Sequence, residues 1–211
     1  IAEQQGEVNE VIQALGERPV RWILNEFDVD ERWCFIHATH TDDAELIDFA
    51  KSGAIAGLCP ITEANLGDGI FDARKFFDNG GRYGIGSDSN IRVGLSEELR
   101  MLEVSQRLRD QRRVVLSSDT TPSNGRFLYE RAALGGAQAL ARNSGVIKVG
   151  ALADLVALDD EHYSLSGLSN DTILDTWIFA CGDEIVLDVW AAGRHMVRNG
   201  EHIMRDNITR K

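Results

Sequence analysis

Three short apolar runs constrain this chain more than any other feature. Each ends in a side chain with chemistry, and a helical stretch follows soon after. Residues 32–37 (Arg-Trp-Cys-Phe-Ile-His) read as a buried strand ending at His37. Residues 53–59 form a second run, ending at Cys59 and Pro60, and residues 83–88 a third, ending at Asp88. After the first, Thr41-Asp42-Asp43 supplies a helix start and residues 44–51 have helical periodicity. Residues 70–78 read as a helix stopped by Asn79-Gly80-Gly81, and residues 96–109 as a long one. Strands that alternate with helices in this rhythm predict a parallel sheet, hence an α/β layer or barrel. In such folds active sites gather at the C-terminal strand ends, where these polar residues lie.

The remainder changes character. Residues 121–125 read as a loop and residues 126–142 as an Ala- and Leu-rich helix. Beyond Gly145, residues 153–158, 184–190 and 194–198 read as strands, with turn signals at Gly193 and Asn199-Gly200. The expected division is an α/β unit over 1–144 and a small β unit over 145–211. With 211 residues and 43% hydrophobic content the chain can build a substantial core. No apolar run reaches membrane-spanning length, and the polar start shows no secretory signal. A net charge of −12 disfavours nucleic-acid and anionic-membrane partners. Cys34, Cys59 and Cys181 are odd in number and unpaired in spacing, so they read as buried thiols of a cytoplasmic protein.

Among single residues, Asp88 stands in Gly86-Ser87-Asp88-Ser89, directly after a strand. A carboxylate there can ligate a divalent cation and accept the proton of the water it activates. It can equally cap a turn. In His37-Ala38-Thr39-His40 only one histidine of a strand end can face the mouth of the fold, and His37 is the better placed. A hydrogen-bonded structural histidine remains open. Glu3 alone is an ordinary carboxylate. No phosphate-binding glycine loop and no serine nucleophile elbow are present, so nucleotide cofactors are not suggested.

Together these residues resemble the amidohydrolase superfamily, in its deaminase and chlorohydrolase branch. Four stretches carry the likeness: Ile1-Ala2-Glu3, His37 at its strand end, Gly86-Ser87-Asp88-Ser89-Asn90, and residues 150–159 (Gly-Ala-Leu-Ala-Asp-Leu-Val-Ala-Leu-Asp). Residues 31–40 and 57–71 look most like the deiminases that act on N-formimino-L-glutamate in histidine degradation. The resemblance implies the C-terminal part of a (β/α)8 barrel followed by strands of a small β-sandwich. It implies one divalent metal ion, zinc foremost, with Asp88 as ligand and base. His37 becomes the histidine that stabilises developing charge, and Glu3 a proton shuttle. The family's fifth-strand metal histidine would stand just before Ile1, and its His-x-His pair much earlier.

The implied reaction is hydrolysis of N-formimino-L-glutamate to N-formyl-L-glutamate and ammonia. A dicarboxylate substrate needs basic anchors, and Arg92 is the nearby candidate, with the main anchors expected upstream. Two alternatives stay open. One is a deaminase of another substrate, such as guanine or S-adenosylhomocysteine. The other is a segment inactive by itself because it lacks the upstream ligands. The expected partner is a small molecule, with a homodimer as the expected assembly.

Overall fold

The computed structural model describes residues 1–89 and 91–210; Asn90, part of one quoted motif, lies outside them. Two helices open the chain, α1 (Gln5–Leu15) and α2 (Pro19–Glu26). Gly16, at φ 78°, ends the first, and Pro19 occupies the first turn of the second. Three strands follow, β1 (Cys34–Ile36), β2 (Ile55–Leu58) and β3 (Arg82–Ile85). They pair in parallel in the order β1-β2-β3, with Ala56 opposite both Phe35 and Tyr83. All four residues of β2 are buried, as a central parallel strand requires.

Helices connect and cover these strands. α3 (Asp43–Ser52) starts in a full capping box, with Asp42 and Glu45 each accepting from the other's backbone N–H at 2.8 Å. α4 (Pro60–Leu66) begins directly where β2 ends. Pro60, which reads as a strand stop in the sequence, opens this helix, because Pro at the first helical position forfeits no hydrogen bond. α5 (Ala73–Asp78) starts three residues later than its apolar pattern suggested, because the Asp72 side chain caps it through Lys75 N. α6 (Leu95–Asp110) and α7 (Asn124–Ala139) complete this part.

α7 lies unusually close to β3. A Cβ on Gly135 would stand 1.9 Å from the Tyr83 carbonyl oxygen, and one on Gly84 3.2 Å from Gly136 Cα. Only glycine allows that approach. The Tyr83 hydroxyl then donates to Leu128 O at 2.7 Å, locking helix to strand. Phe35, Phe49, Phe76, Phe77 and Tyr83 form a chain of stacked and tilted rings between the sheet and its helices.

The tail forms a four-stranded antiparallel sheet of β4 (Leu155–Leu158), β5 (Val186–Ala191), β6 (Arg194–Arg198) and β7 (Glu201–His202). Its two hairpins turn at Ala192-Gly193 and Asn199-Gly200, every one of these four residues at positive φ. That is the turn geometry the strand twist favours. Between β4 and β5 runs α8 (Asp171–Phe179), absent from the sequence reading, which buries Trp177 and Ile178. A short α9 (Arg205–Thr209) follows β7.

Candidate active site

The mouth of the parallel sheet is built where β1, β2 and β3 end. Residues 1–3 run beside the end of β1. Ile1 N donates to Ile36 O, Ala38 N to Ile1 O and His40 N to Ala2 O, at 2.9–3.0 Å. Glu7, in the first turn of α1, accepts from both Ala2 N and Glu3 N at 2.8 Å. Glu3 is thereby aimed at the sheet's mouth. His37 N is held by Gly57 O at 2.9 Å.

Four non-glycine residues of this mouth, Ala2, His37, Ala38 and Asp88, have φ between 45° and 66°. Such backbone costs on the order of 1 kcal/mol or more per residue and collects at functional sites.

The three residues expected from sequence converge. His37 Nε2 lies 3.7 Å from Glu3 Oε1 and 3.8 Å from Asp88 Oδ2. Two further groups, Glu63 and Cys59, join them at the mouth. Glu63 Oε1 stands 3.3 Å from His37 Nδ1 and accepts from Cys59 N at 3.1 Å. The Cys59 thiol, the His37 imidazole and the Asp88 carboxylate have ligand atoms all within 4.8 Å of one another. Their signals were the strand-end position of Cys59 and the helix start at Pro60, which carries Glu63 one turn beyond Cys59.

His37 and Glu63 are buried, while Asp88 remains accessible with a 42% exposed side chain. The Glu63 carboxylate raises the His37 pKa above its usual value, against the effect of burial, with Glu3 adding to the rise. With Nδ1 donating to Glu63, Nε2 faces the two carboxylates. The imidazole can then hold a proton there or stabilise negative charge. Burial, with Glu63 and Asp88 beside it, pushes the Cys59 thiol up to about 12, so it stays protonated without a cation.

The donor set of imidazole, carboxylate and thiol is one that zinc accepts. Asp88 and His37 present atoms that could hold such an ion, and Cys59 could do so only on deprotonation. Arg92, the remaining sequence candidate, lies apart, and so do two histidines outside the candidate set. The Arg92 side chain is 69% exposed and forms an ion pair with Glu97. His40 Nε2 binds Asp68 O at 2.6 Å, and His195 pairs with Asp188 and stacks on Trp190 in the tail sheet.

The amidohydrolase family model matches residues 1–196. The chain belongs to the amidohydrolase family. It is 50% identical, over its entire length, to a formimidoylglutamate deiminase of Pseudomonas aeruginosa, 46% of which it covers. An amidohydrolase of Brucella melitensis superposes with a TM-score of 0.93 at 49% identity, over 100% of this chain and 46% of that one. An adenosine deaminase from Xanthomonas campestris, solved with bound zinc, gives 0.84 at 26% identity, over 99% and 46%. The chain thus spans about half the length of the relatives it matches. Its fold is the C-terminal part of an amidohydrolase TIM barrel with the strands that follow it. Among the described residues no helix is long and apolar enough to cross a membrane.

Proposed function

We propose that this chain contributes the catalytic carboxylates and histidine of a hydrolase that converts N-formimino-L-glutamate and water to N-formyl-L-glutamate and ammonia. The convergence of Glu3, His37 and Asp88 at one strand-end mouth carries the reading. The 50% identity to a deiminase of this specificity supports the substrate. A divalent cation held beside Asp88 and His37, with zinc the proposed ion, would acidify water and polarise the formimino carbon.

The chain's own residues then divide the work. Asp88, accessible and within reach of His37, takes the proton of the attacking water. His37, its Nδ1 tied to Glu63, keeps Nε2 directed at the charge that develops as the C=N bond adds oxygen. Glu3 and Asp88 return protons to the nitrogen, which leaves as ammonia. Glu3, Asp88 and Glu63 make the mouth strongly acidic, so the substrate's carboxylates need cationic anchors. Arg92 is the proposed anchor in this chain, and binding would require it to leave Glu97.

The same reading makes the protein a cytoplasmic catabolic enzyme acting on a small molecule, with 1–144 as barrel and 145–211 as part of a sandwich. A homodimer is the proposed assembly. The test is ammonia release by the zinc-loaded whole protein. Turnover of formimino-glutamate with none of adenosine, guanine or S-adenosylhomocysteine supports the reading. The reverse preference replaces it with a purine deaminase.

A further inference from the structure

α4 has one feature the reaction does not use. Its first backbone donors have no partners within the helix, as at any helix start. One of them, Ile61 N, is satisfied from another helix: it donates to Glu98 Oε2 on α6 at 2.9 Å. Glu98 is only 1% exposed, and its second oxygen has no hydrogen-bond partner among the described residues. A half-satisfied buried carboxylate opposes stability, and an apolar side chain of the same volume would fit such a place better.

The turn that Glu98 holds touches the site on two sides. Glu63, in that turn, binds His37 Nδ1 and Cys59 N through one oxygen. Thr62, beside it, donates its hydroxyl to Ser87 O at 3.1 Å and accepts from Ser89 N at 3.3 Å. Ser87 and Ser89 are the two neighbours of Asp88.

We infer that Glu98 is a positioning residue: it fixes the first turn of α4, which braces His37 through Glu63 and the Asp88 loop through Thr62. Burial, together with the nearby Glu63 and Glu97, raises the Glu98 carboxyl to about 7, which agrees with a side chain kept for its place and not for an ion pair. The bond that matters is the one accepted from Ile61 N. Glutamine at 98 preserves that acceptor, whereas methionine fills the same volume without it.

The inference rests on the deiminase reading only for its turnover arm. The experiment compares Glu98→Gln and Glu98→Met in the whole protein. Steady-state turnover of formimino-glutamate is read beside the imidazole nitrogen NMR signals of His37, with and without zinc. Expected in E98M is a kcat loss of about tenfold with KM within about twofold, and displaced His37 signals, as for a lost positioning contact. E98Q is expected to keep kcat within about threefold and to leave those signals in place.

Unchanged His37 signals in E98M overturn the inference, as does equal impairment of both variants. Should E98M fail to fold, E98Q decides: retained signals support the inference and displaced ones overturn it. If the wild-type protein does not process formimino-glutamate, the NMR arm still decides, because it needs no substrate.

Discussion

Glu63 Oε1 stands 3.3 Å from Nδ1 of His37, and the same oxygen accepts from Cys59 N at 3.1 Å. One carboxylate on the α4 helix therefore fixes the ring of a histidine on a different strand end. It also raises the His37 pKa, its hydrogen bond being the main cause of the rise. Glu63→Gln keeps an acceptor in place and removes the charge. The His37 pKa is expected to fall, moving any kinetic limb that reports it to lower pH. An NMR titration of His37 in wild type and variant measures this, and an unmoved midpoint would contradict the assignment of cause.

Asp88 is the accessible carboxylate of the site, 3.8 Å from His37 Nε2. Asp88→Asn cannot accept a proton from water. Turnover by the whole protein should drop by about 10²-fold or more. Circular dichroism and melting temperature should stay close to wild type, because this side chain is 42% exposed. Substantial residual activity would remove Asp88 from its proposed role.

Cys59 provides a chemical test of the mouth's electrostatics. Its thiol is pushed up to about 12 by burial and the acids around it. Alkylation by iodoacetamide at pH 8 should be at least about 100-fold slower than for a free small thiol. Peptide mass mapping over time follows the rate, and modification at the free-thiol rate would show the thiolate to be stabilised instead.

Glu98 predicts a pH dependence of stability. Its folded pKa, about 7, lies above the ordinary value of 4.5. The folded state therefore binds this proton more tightly than the unfolded state does. Its contribution is most favourable below pH 4.5 and declines as pH rises through 7. Denaturant unfolding of Glu98→Gln should lack that part of the slope and gain up to about 3 kcal/mol relative to wild type at pH 8. Parallel stability–pH curves for the two proteins would refute it.

Gly135 sits where α7 meets β3. Gly135→Ala gains about 1 kcal/mol of helix propensity. Its new methyl would lie 1.9 Å from the Tyr83 carbonyl oxygen, and the backbone must shift to admit it. The clash should win, with a net loss of about 3 kcal/mol or failure to fold. Thermal unfolding decides, and an unchanged melting temperature would mean that α7 can slide on the sheet.

The placement of His37 and Asp88 at the mouth was legible because a strand end reads locally, as an apolar run and then a polar residue; Glu3, an ordinary carboxylate by itself, came only through the resemblance. Glu63 was not legible as a site residue. Its role depends on α4 starting at Pro60 and bringing its first turn against His37, a packing that no local pattern encodes. Cys59 read as buried packing because its neighbours are apolar, and its proximity to Asp88 arises only from the pairing of β2 with β3. α1 and α2 carried their signals in Gly16 and Pro19, but no strand rhythm framed them. α8 was lost between tail strands because its nine residues are too short for a persuasive period.

The tight seating of α7 on β3 has a consequence for how this site can diversify. The strand that ends before Asp88 is clamped along its length, so the carboxylate proposed to take the water proton inherits a fixed origin. Arg92 lies on the chain beyond it, outside that clamp and exposed to water. If Arg92 anchors the substrate as proposed, changes over residues 91–94 would alter which molecule is selected without re-aiming Asp88. A barrel built this way is evolvable at its rim because it is rigid one turn below.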